Sequence, residues 1–157
     1  MNTFLRYLEF LSLGIWVGAI VYMAFVVAPA AFMTLPSMDQ AGSLVGVVLT
    51  RLHWLGVISG VVYLGAAAAR GRSLGALGRP GALAVIAMIV LTLISQQVVM
   101  KKMSRLGNEM GSIERTPATN PLRRQFDHLH VVSVRIEGAV LLLGLAAIFF
   151  TVRELPH

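Results

Sequence analysis

The fold class is decided by residues 43–69, which read SLVGVVLTRLHWLGVISGVVYLGAAAA. A helix that crosses the hydrocarbon core of a bilayer needs about 20 mainly apolar residues. This stretch exceeds that length and contains a single charged residue, Arg51, so it predicts a transmembrane helix. Arg51 and His53 lie near its start. Such side chains are costly in hydrocarbon and therefore indicate where a functional site would lie.

Three further apolar stretches accompany this one along the chain. We expect transmembrane spans at residues 8–32, 43–69, 81–100 and 129–152. The glycine-rich residues 71–81 predict a short connection, and the polar residues 101–121 predict a loop. The sequence thus predicts an all-α protein, an integral membrane four-helix bundle, with residues 1–157 in a single domain.

Composition agrees with a membrane protein and excludes several classes of site. Hydrophobic residues make up 57% of the chain, charged residues make up 13%, and the mean hydropathy is +0.78; soluble domains average about 25% charged residues. The chain has no cysteine, which excludes disulfides, cysteine-ligated zinc, iron–sulfur clusters and thiol catalysis. The sequence also shows no nucleophile–base pair, phosphate loop or carboxylate dyad, so an enzyme is not favoured.

The net charge of +6 predicts contact with the lipid bilayer rather than with nucleic acid. The basic residues flank the apolar stretches, where they would meet anionic headgroups, and no basic patch has the interleaved aromatic residues of a nucleic-acid site. We expect a multi-pass protein of a bacterial inner membrane, as a homo-oligomer or as a subunit of a larger membrane complex.

The orientation in the membrane is not predicted by the charges. Four spans put both chain ends and the 71–81 connection on one side, called side X, and the other two connections on side Y. The positive-inside rule needs a difference in the number of basic residues between the two sides, and side X has five where side Y has six. The two sets are Arg6, Arg70, Arg72, Arg79 and Arg153 on side X, and Lys101, Lys102, Arg105, Arg115, Arg123 and Arg124 on side Y.

Small residues predict which face of the second span meets another helix. Gly56 and Gly60 have the four-residue spacing that lets helix backbones approach closely. His53 precedes them by three and seven residues and so lies on the same helix face. We therefore expect His53 to point toward a neighbouring helix rather than toward lipid.

Polar residues of three spans fall at similar depths near side Y. Counting about 20 residues from the side-X ends puts His53 about 5 Å inside the side-Y boundary, Glu137 about 8 Å inside it, and His130 just outside. Gln96 lies one turn before the end of the third span. His130, Ser133 and Glu137 share a stripe of about 120° on the fourth span. These residues predict a polar layer.

Several kinds of chemistry are open to this layer, with Arg51 as a further neighbour. His53 and His130 could hold haem b, or, with Glu137, a copper or zinc ion, since imidazole suits these metals. The preferred interpretation of the two histidines is a buried hydrogen bond or an interfacial anchor. Glu137 could bind a cation or relay protons, or it could pair with Arg51.

Three functions correspond to these alternatives. The preferred interpretation is a non-catalytic membrane binding or accessory protein. The second is a b-type haem protein, with a possible oxidoreductase activity, that uses His53 and His130 as axial ligands. The third is a small ion or metabolite transporter that uses Glu137.

Short motifs lie in and after the first span and at the opening of the last. They are Trp16, Leu35-Pro36, Gly42 and Phe126-x3-His130-x2-Ser133. With these motifs the chain resembles the small four-helix membrane family that includes eukaryotic transmembrane protein 205 and bacterial proteins of unknown function. The resemblance covers nearly the whole chain and implies a four-helix membrane fold. It adds weight to His130 and Ser133 but supplies no reaction, and the family tends to have asparagine where this chain has Glu137.

Overall fold

A computed structural model describes residues 2–154, most of which are helical. π-helical turns at Met23–Val27 and Ser95–Met100 join α1 to α2 and α4 to α5, and a 3-10 turn covers Leu74–Gly78. No strand occurs in residues 2–154, so the prediction of an all-α protein is confirmed. The α-helices are α1 (Asn2–Tyr22), α2 (Ala28–Thr34), α3 (Met38–Gly71), α4 (Pro80–Ile94), α5 (Lys101–Met110) and α6 (Pro121–Arg153).

Four helical segments are long and apolar enough to cross a membrane, which confirms the predicted membrane four-helix architecture. Each one extends beyond the predicted span, because the helical backbone continues into polar residues that hydropathy does not detect. The segments are Thr3–Thr34, Met38–Gly71, Pro80–Met110 and Pro121–Arg153.

The polar segment expected to be a loop at 101–121 is helical in its first half, where α5 lies. Met103, Leu106 and Met110 have helical spacing, and Leu106 is buried where α5 packs against α6. Lys101 is exposed on the opposite face, and Lys102 is exposed beside the buried stripe. Because α5 is amphipathic rather than apolar, a search for apolar runs misses it.

Side-chain caps set the starts of the two longest helices. The Ser37 hydroxyl accepts a hydrogen bond from the backbone N–H of Gln40 at 3.2 Å and so caps α3. The Asn120 side chain accepts from the backbone N–H of Leu122 at 2.9 Å and caps α6, with Pro121 at the first helical position. The fourth span therefore begins well before the predicted residue 129.

The four spans pack in a ring of neighbours: α1 lies on α3, α3 on α4, α4 on α6, and α6 on α1. This order leaves α3 and α6 at opposite corners of the bundle. As spans two and four of an up-and-down bundle, they run in the same direction. Any side-chain contact between them crosses the interior.

The core is tightest where glycines admit larger side chains. The Trp16 indole is 1% exposed and lies against α3, where a Cβ on either Gly56 or Gly60 would overlap the ring. On α6, Gly144 admits Val17 in the same way. Both glycines lie at helix contacts, as the spacing predicts: Gly56 meets α1, and Gly60 meets α1 and Ile89 of α4.

Candidate functional site

His53 is buried in the bundle and held by side chains from two other spans. Only 1% of the residue is exposed. Its Nδ1 lies 2.7 Å from Oε1 of Gln96, and its Nε2 lies 2.6 Å from Oε1 of Glu137. Three spans thus meet at one imidazole. We call His53, Gln96 and Glu137 the inner layer.

The chemistry of these two contacts determines where hydrogens must lie. The oxygen of a side-chain amide accepts hydrogen bonds and cannot donate them, so Nδ1 of His53 donates to Gln96. Nε2 then faces a carboxyl oxygen of Glu137 at 2.6 Å, a distance that two acceptors reach only with a hydrogen between them. With the amide oxygen of Gln96 toward Nδ1, the two contacts together require one shared proton, carried either as imidazolium with carboxylate or as imidazole with carboxylic acid.

The inner layer is one of three polar links between the parallel helices α3 and α6. Tyr63 and Thr151 join their hydroxyls at 2.8 Å, and Arg70 donates to Glu154, which follows α6, at 3.1 Å. Sequence separations within the three linked pairs are 84, 88 and 84 residues. This near-constant separation shows that the two helices hold one register along the bundle.

Gln96 reaches the imidazole from an irregular part of its helix. It lies in the π-helical turn Ser95–Met100, which separates α4 from α5. Such turns are rare inside helices and frequently occur at functional sites. The turn places Ser95 and Val99 in the core, while Gln97 and Val98 are exposed.

Buried hydroxyl groups lie within about one helical turn of the inner layer. Ser95 and Thr92 precede Gln96 by one and four residues, and each is at most 1% exposed. Neither hydroxyl has a hydrogen-bond partner among the described residues. Because buried polar groups are normally paired, these hydroxyls give the interior capacity for further hydrogen bonds.

The predicted polar layer is assembled in part. His53, Gln96 and Glu137 meet as described, and Ser133 is buried one turn before Glu137. Arg51 is exposed, and the hydrogen-bond partner of Glu137 is His53 rather than Arg51.

His130 lies apart from the inner layer. Because α6 begins at Pro121, His130 precedes Glu137 by two turns, about 10 Å along the helix, and its side chain is exposed. His128 is also in regular helix and points nearly the opposite way. Over residues 2–154, no three histidine, aspartate or glutamate side chains come together as a metal site. The expected set of His53, His130 and Glu137 is therefore not brought together.

A second charged cluster closes side X, and reasoning from the sequence did not find it. Arg70 donates to both carboxylate oxygens of Glu9, at 2.8 and 3.2 Å, and Glu9 is 0% exposed. Arg70 and Arg79 each donate to Glu154 at 3.1 Å. A lone acid in an apolar span needs a cationic partner, and that signal could have paired Glu9 with a basic residue of side X. We call these four residues the side-X clasp.

The clasp and the inner layer lie about 25 Å apart along the bundle. Residues 53 and 70 on α3 are 17 positions apart, and so are residues 137 and 154, so both helices give this distance at about 1.5 Å per residue. Between the two clusters lie deeply buried apolar side chains, including Trp16, Met88 and Val140. The inner layer is therefore shielded from side X.

Comparison with known proteins gives a family. The family model described as Domain of unknown function (DUF4149) matches residues 11–112, a range that includes His53 and Gln96 and ends before Glu137. The chain belongs to this family. None of the curated proteins and none of the solved structures compared matches the chain.

Proposed function

Because the DUF4149 family to which the chain belongs supplies no activity, we propose a function from the inner layer. The chain is a non-catalytic membrane binding protein, and the ligand that it binds between His53 and Glu137 is an exchangeable proton. Gln96 fixes the orientation of the imidazole. The proton links α3 to α6, and its release weakens that link. An accessory role follows if a membrane partner senses the packing of these helices.

The observation that carries this proposal is the 2.6 Å separation of His53 Nε2 and Glu137 Oε1. Two ligands of one zinc ion, each about 2.0–2.1 Å from the metal in tetrahedral geometry, lie roughly 3.3 Å from each other. The observed separation is much shorter and matches a charge-assisted hydrogen bond. It supports a proton shared by the two groups.

A haem or metal ligand at His53 would have to displace an existing hydrogen bond, because both ring nitrogens are engaged. The expected second ligand, His130, is exposed two turns from Glu137. These contacts give less support to haem b, copper or zinc than to a proton. A Soret band in the purified protein that disappears in His130→Ala would restore the haem interpretation, and stoichiometric copper or zinc would restore the metal interpretation.

Infrared difference spectroscopy of the chain in lipid, recorded during a pH titration, tests the proton site. We expect a carboxyl C=O band from a buried group that is present in wild type and in Glu109→Gln, whose side chain is exposed on α5. The band should be absent in Glu137→Gln and should shift in His53→Gln. Identical carboxyl spectra in wild type and Glu137→Gln would show that Glu137 does not exchange a proton and would reject the proposal.

Proton-coupled transport of a small ion or metabolite is a second candidate, and one observation favours it. The Glu137 side chain is 18% exposed, so it extends from the inner layer to the surface of the bundle. Proteoliposomes that contain a pH-sensitive dye would show proton influx under an imposed membrane potential with wild type and Glu109→Gln, but not with Glu137→Gln. Equal dye responses with and without the protein would remove transport and leave proton binding.

We also propose that the chain is related to the transmembrane protein 205 family and that it lies in a bacterial inner membrane. Likeness to the transmembrane protein 205 family is consistent with a small membrane family and with four spans. A bacterial inner membrane would be tested by membrane fractionation, in which the protein should follow inner-membrane markers.

A further inference from the structure

A basic depression lies on the surface of the third span where its apolar run ends on side Y. It has a volume of about 520 Å³ and is lined by Gln97, Val98, Lys101, Lys102 and Arg105. The geometry points to a binding site for the phosphate group of an anionic phospholipid, with the acyl chain against Val98. We call it the side-Y basic pocket. It shares no residue with the inner layer.

Positive charge is the first argument for an anionic ligand. Three of the five lining residues are cations and none is an acid. The nearest carboxylate partner is Glu109, 3.5 Å from Arg105, and both of these side chains are largely exposed. An exposed ion pair of this kind contributes little, so the three cations are available to attract a phosphate.

The depth of the pocket indicates a lipid rather than a soluble anion. Lys101 and Lys102 directly follow the apolar run 81–100, and basic residues at the end of a span lie at the level of the headgroups. Val98 is 59% exposed one turn closer to the membrane centre. An apolar surface below and cations above match the acyl chain and phosphate of a phospholipid, whereas free phosphate would use the cations alone.

Helix α5 fixes the backbone positions from which these cations extend. Lys101, Lys102 and Arg105 lie on α5, a regular helix. Leu106 of the same helix is 2% exposed, and α5 packs against α6. Groups carried on a packed helix are positioned more accurately than groups on a loop, so the three cations extend from fixed points on one helix.

Native mass spectrometry of the full chain in detergent tests the site. The protein would be titrated separately with dioctanoyl phosphatidylglycerol, dioctanoyl phosphatidylcholine and inorganic phosphate. An exposed contact between a cation and a phosphate contributes up to about 1 kcal/mol, or about fivefold in affinity. The Lys101→Gln/Lys102→Gln variant should therefore bind phosphatidylglycerol about thirtyfold more weakly than wild type. Lys101→Arg/Lys102→Arg should bind it as wild type does.

The matched control is Arg115→Gln/Arg124→Gln, which removes two exposed charges elsewhere on side Y. Because neither residue lines the pocket, it should change phosphatidylglycerol affinity by less than about threefold. An equal loss in this control would reduce the effect to general surface charge and overturn the site. Equal binding of phosphatidylcholine, or equal binding of inorganic phosphate, would overturn the assignment to an anionic lipid. Thermal unfolding without lipid should be alike in all variants, since every substituted side chain is exposed.

Discussion

The two sides of His53 have different partners, and this difference gives the inner layer its chemistry. Gln96 is neutral, so its hydrogen bond to Nδ1 fixes the ring orientation and the tautomer. Glu137 is ionisable, so its contact with Nε2 can gain or lose a proton. Gln96 therefore positions the imidazole, and Glu137 makes the site responsive to pH.

A single methyl group at Gly56 should destabilise the bundle. A Cβ there would overlap the Trp16 indole, which is too deeply buried to move aside, and overpacking of this kind costs about 1–3 kcal/mol. Gly65→Ala is the matched control on the same helix, because a Cβ on Gly65 meets open space; helix propensity should stabilise it by up to about 1 kcal/mol. Thermal unfolding in detergent measures both. Equal midpoints for the two variants would contradict this packing.

Helical spacing and the depth of each residue along its span make part of the inner layer predictable from the sequence. The spacing of His53, Gly56 and Gly60 predicts a buried histidine, and counting from span ends puts Gln96 and Glu137 at a similar depth. Which residue pairs with Glu137 is not predictable, because that depends on the lateral order of the helices. The place of His130 in the layer stays a prediction: its side chain is exposed and lies about 10 Å along α6 from Glu137.

The π-helical turn Ser95–Met100 lies between the two proposed sites. Gln96 points inward to the imidazole, and the next residue, Gln97, lines the side-Y basic pocket. A change of conformation in this turn would therefore affect both. The turn cannot be predicted from the apolar pattern, because one extra residue in a helical turn does not change the mean hydropathy of the span.

Two carboxylates join the connection after α5 to the start of α3. Glu114 accepts a hydrogen bond from the backbone N–H of Met38 at 3.1 Å, and Asp39 makes the larger number of contacts. Asp39 accepts hydrogen bonds from the Ser112 hydroxyl at 2.5 Å and from the backbone N–H groups of Ile113 and Glu114 at 2.8 and 3.3 Å. Asp39→Ala removes all three acceptor contacts, each worth about 0.5–1.5 kcal/mol. Amide hydrogen exchange in residues 111–116 should accelerate at least about tenfold. Mass spectrometry of the corresponding peptide measures this rate.

The control for this variant is Glu109→Ala, which removes an exposed carboxylate that pairs only weakly with Arg105. Exchange in residues 111–116 should be unchanged there. Unaltered exchange in Asp39→Ala would show that the connection does not depend on this carboxylate.

The up-and-down arrangement of four spans places the 72–79 connection and the 111–120 connection on opposite faces of the membrane. Because the chain has no cysteine, single cysteines can report on each face without removing others. Gly78→Cys and Thr119→Cys, both at exposed positions, should react with a membrane-impermeant maleimide from opposite sides of oriented vesicles. Labelling of both from one side would contradict the topology.

The four-helix fold is predictable from the sequence because each helix that crosses a bilayer needs an apolar run of a minimum length. The four runs predict four spans, and composition favours a membrane protein. Which helices are neighbours in the bundle is not predictable, because apolar faces of similar character do not specify which helix they contact. The side-X clasp depends on that order, because it joins Glu9 of the first span to Arg70 and Glu154 at the ends of the second and fourth.

Histidine-selective nuclear magnetic resonance tests most directly the claim that His53 and Glu137 share a proton. The chain would carry nitrogen-15 histidine at position 53, with the other three of its four histidines replaced by glutamine. We predict a hydrogen on Nδ1 and a strongly deshielded proton bound between Nε2 and Glu137. In Glu137→Gln the deshielded signal should disappear and the Nδ1 hydrogen should remain. A wild-type spectrum without that signal, or its persistence in Glu137→Gln, would contradict the account.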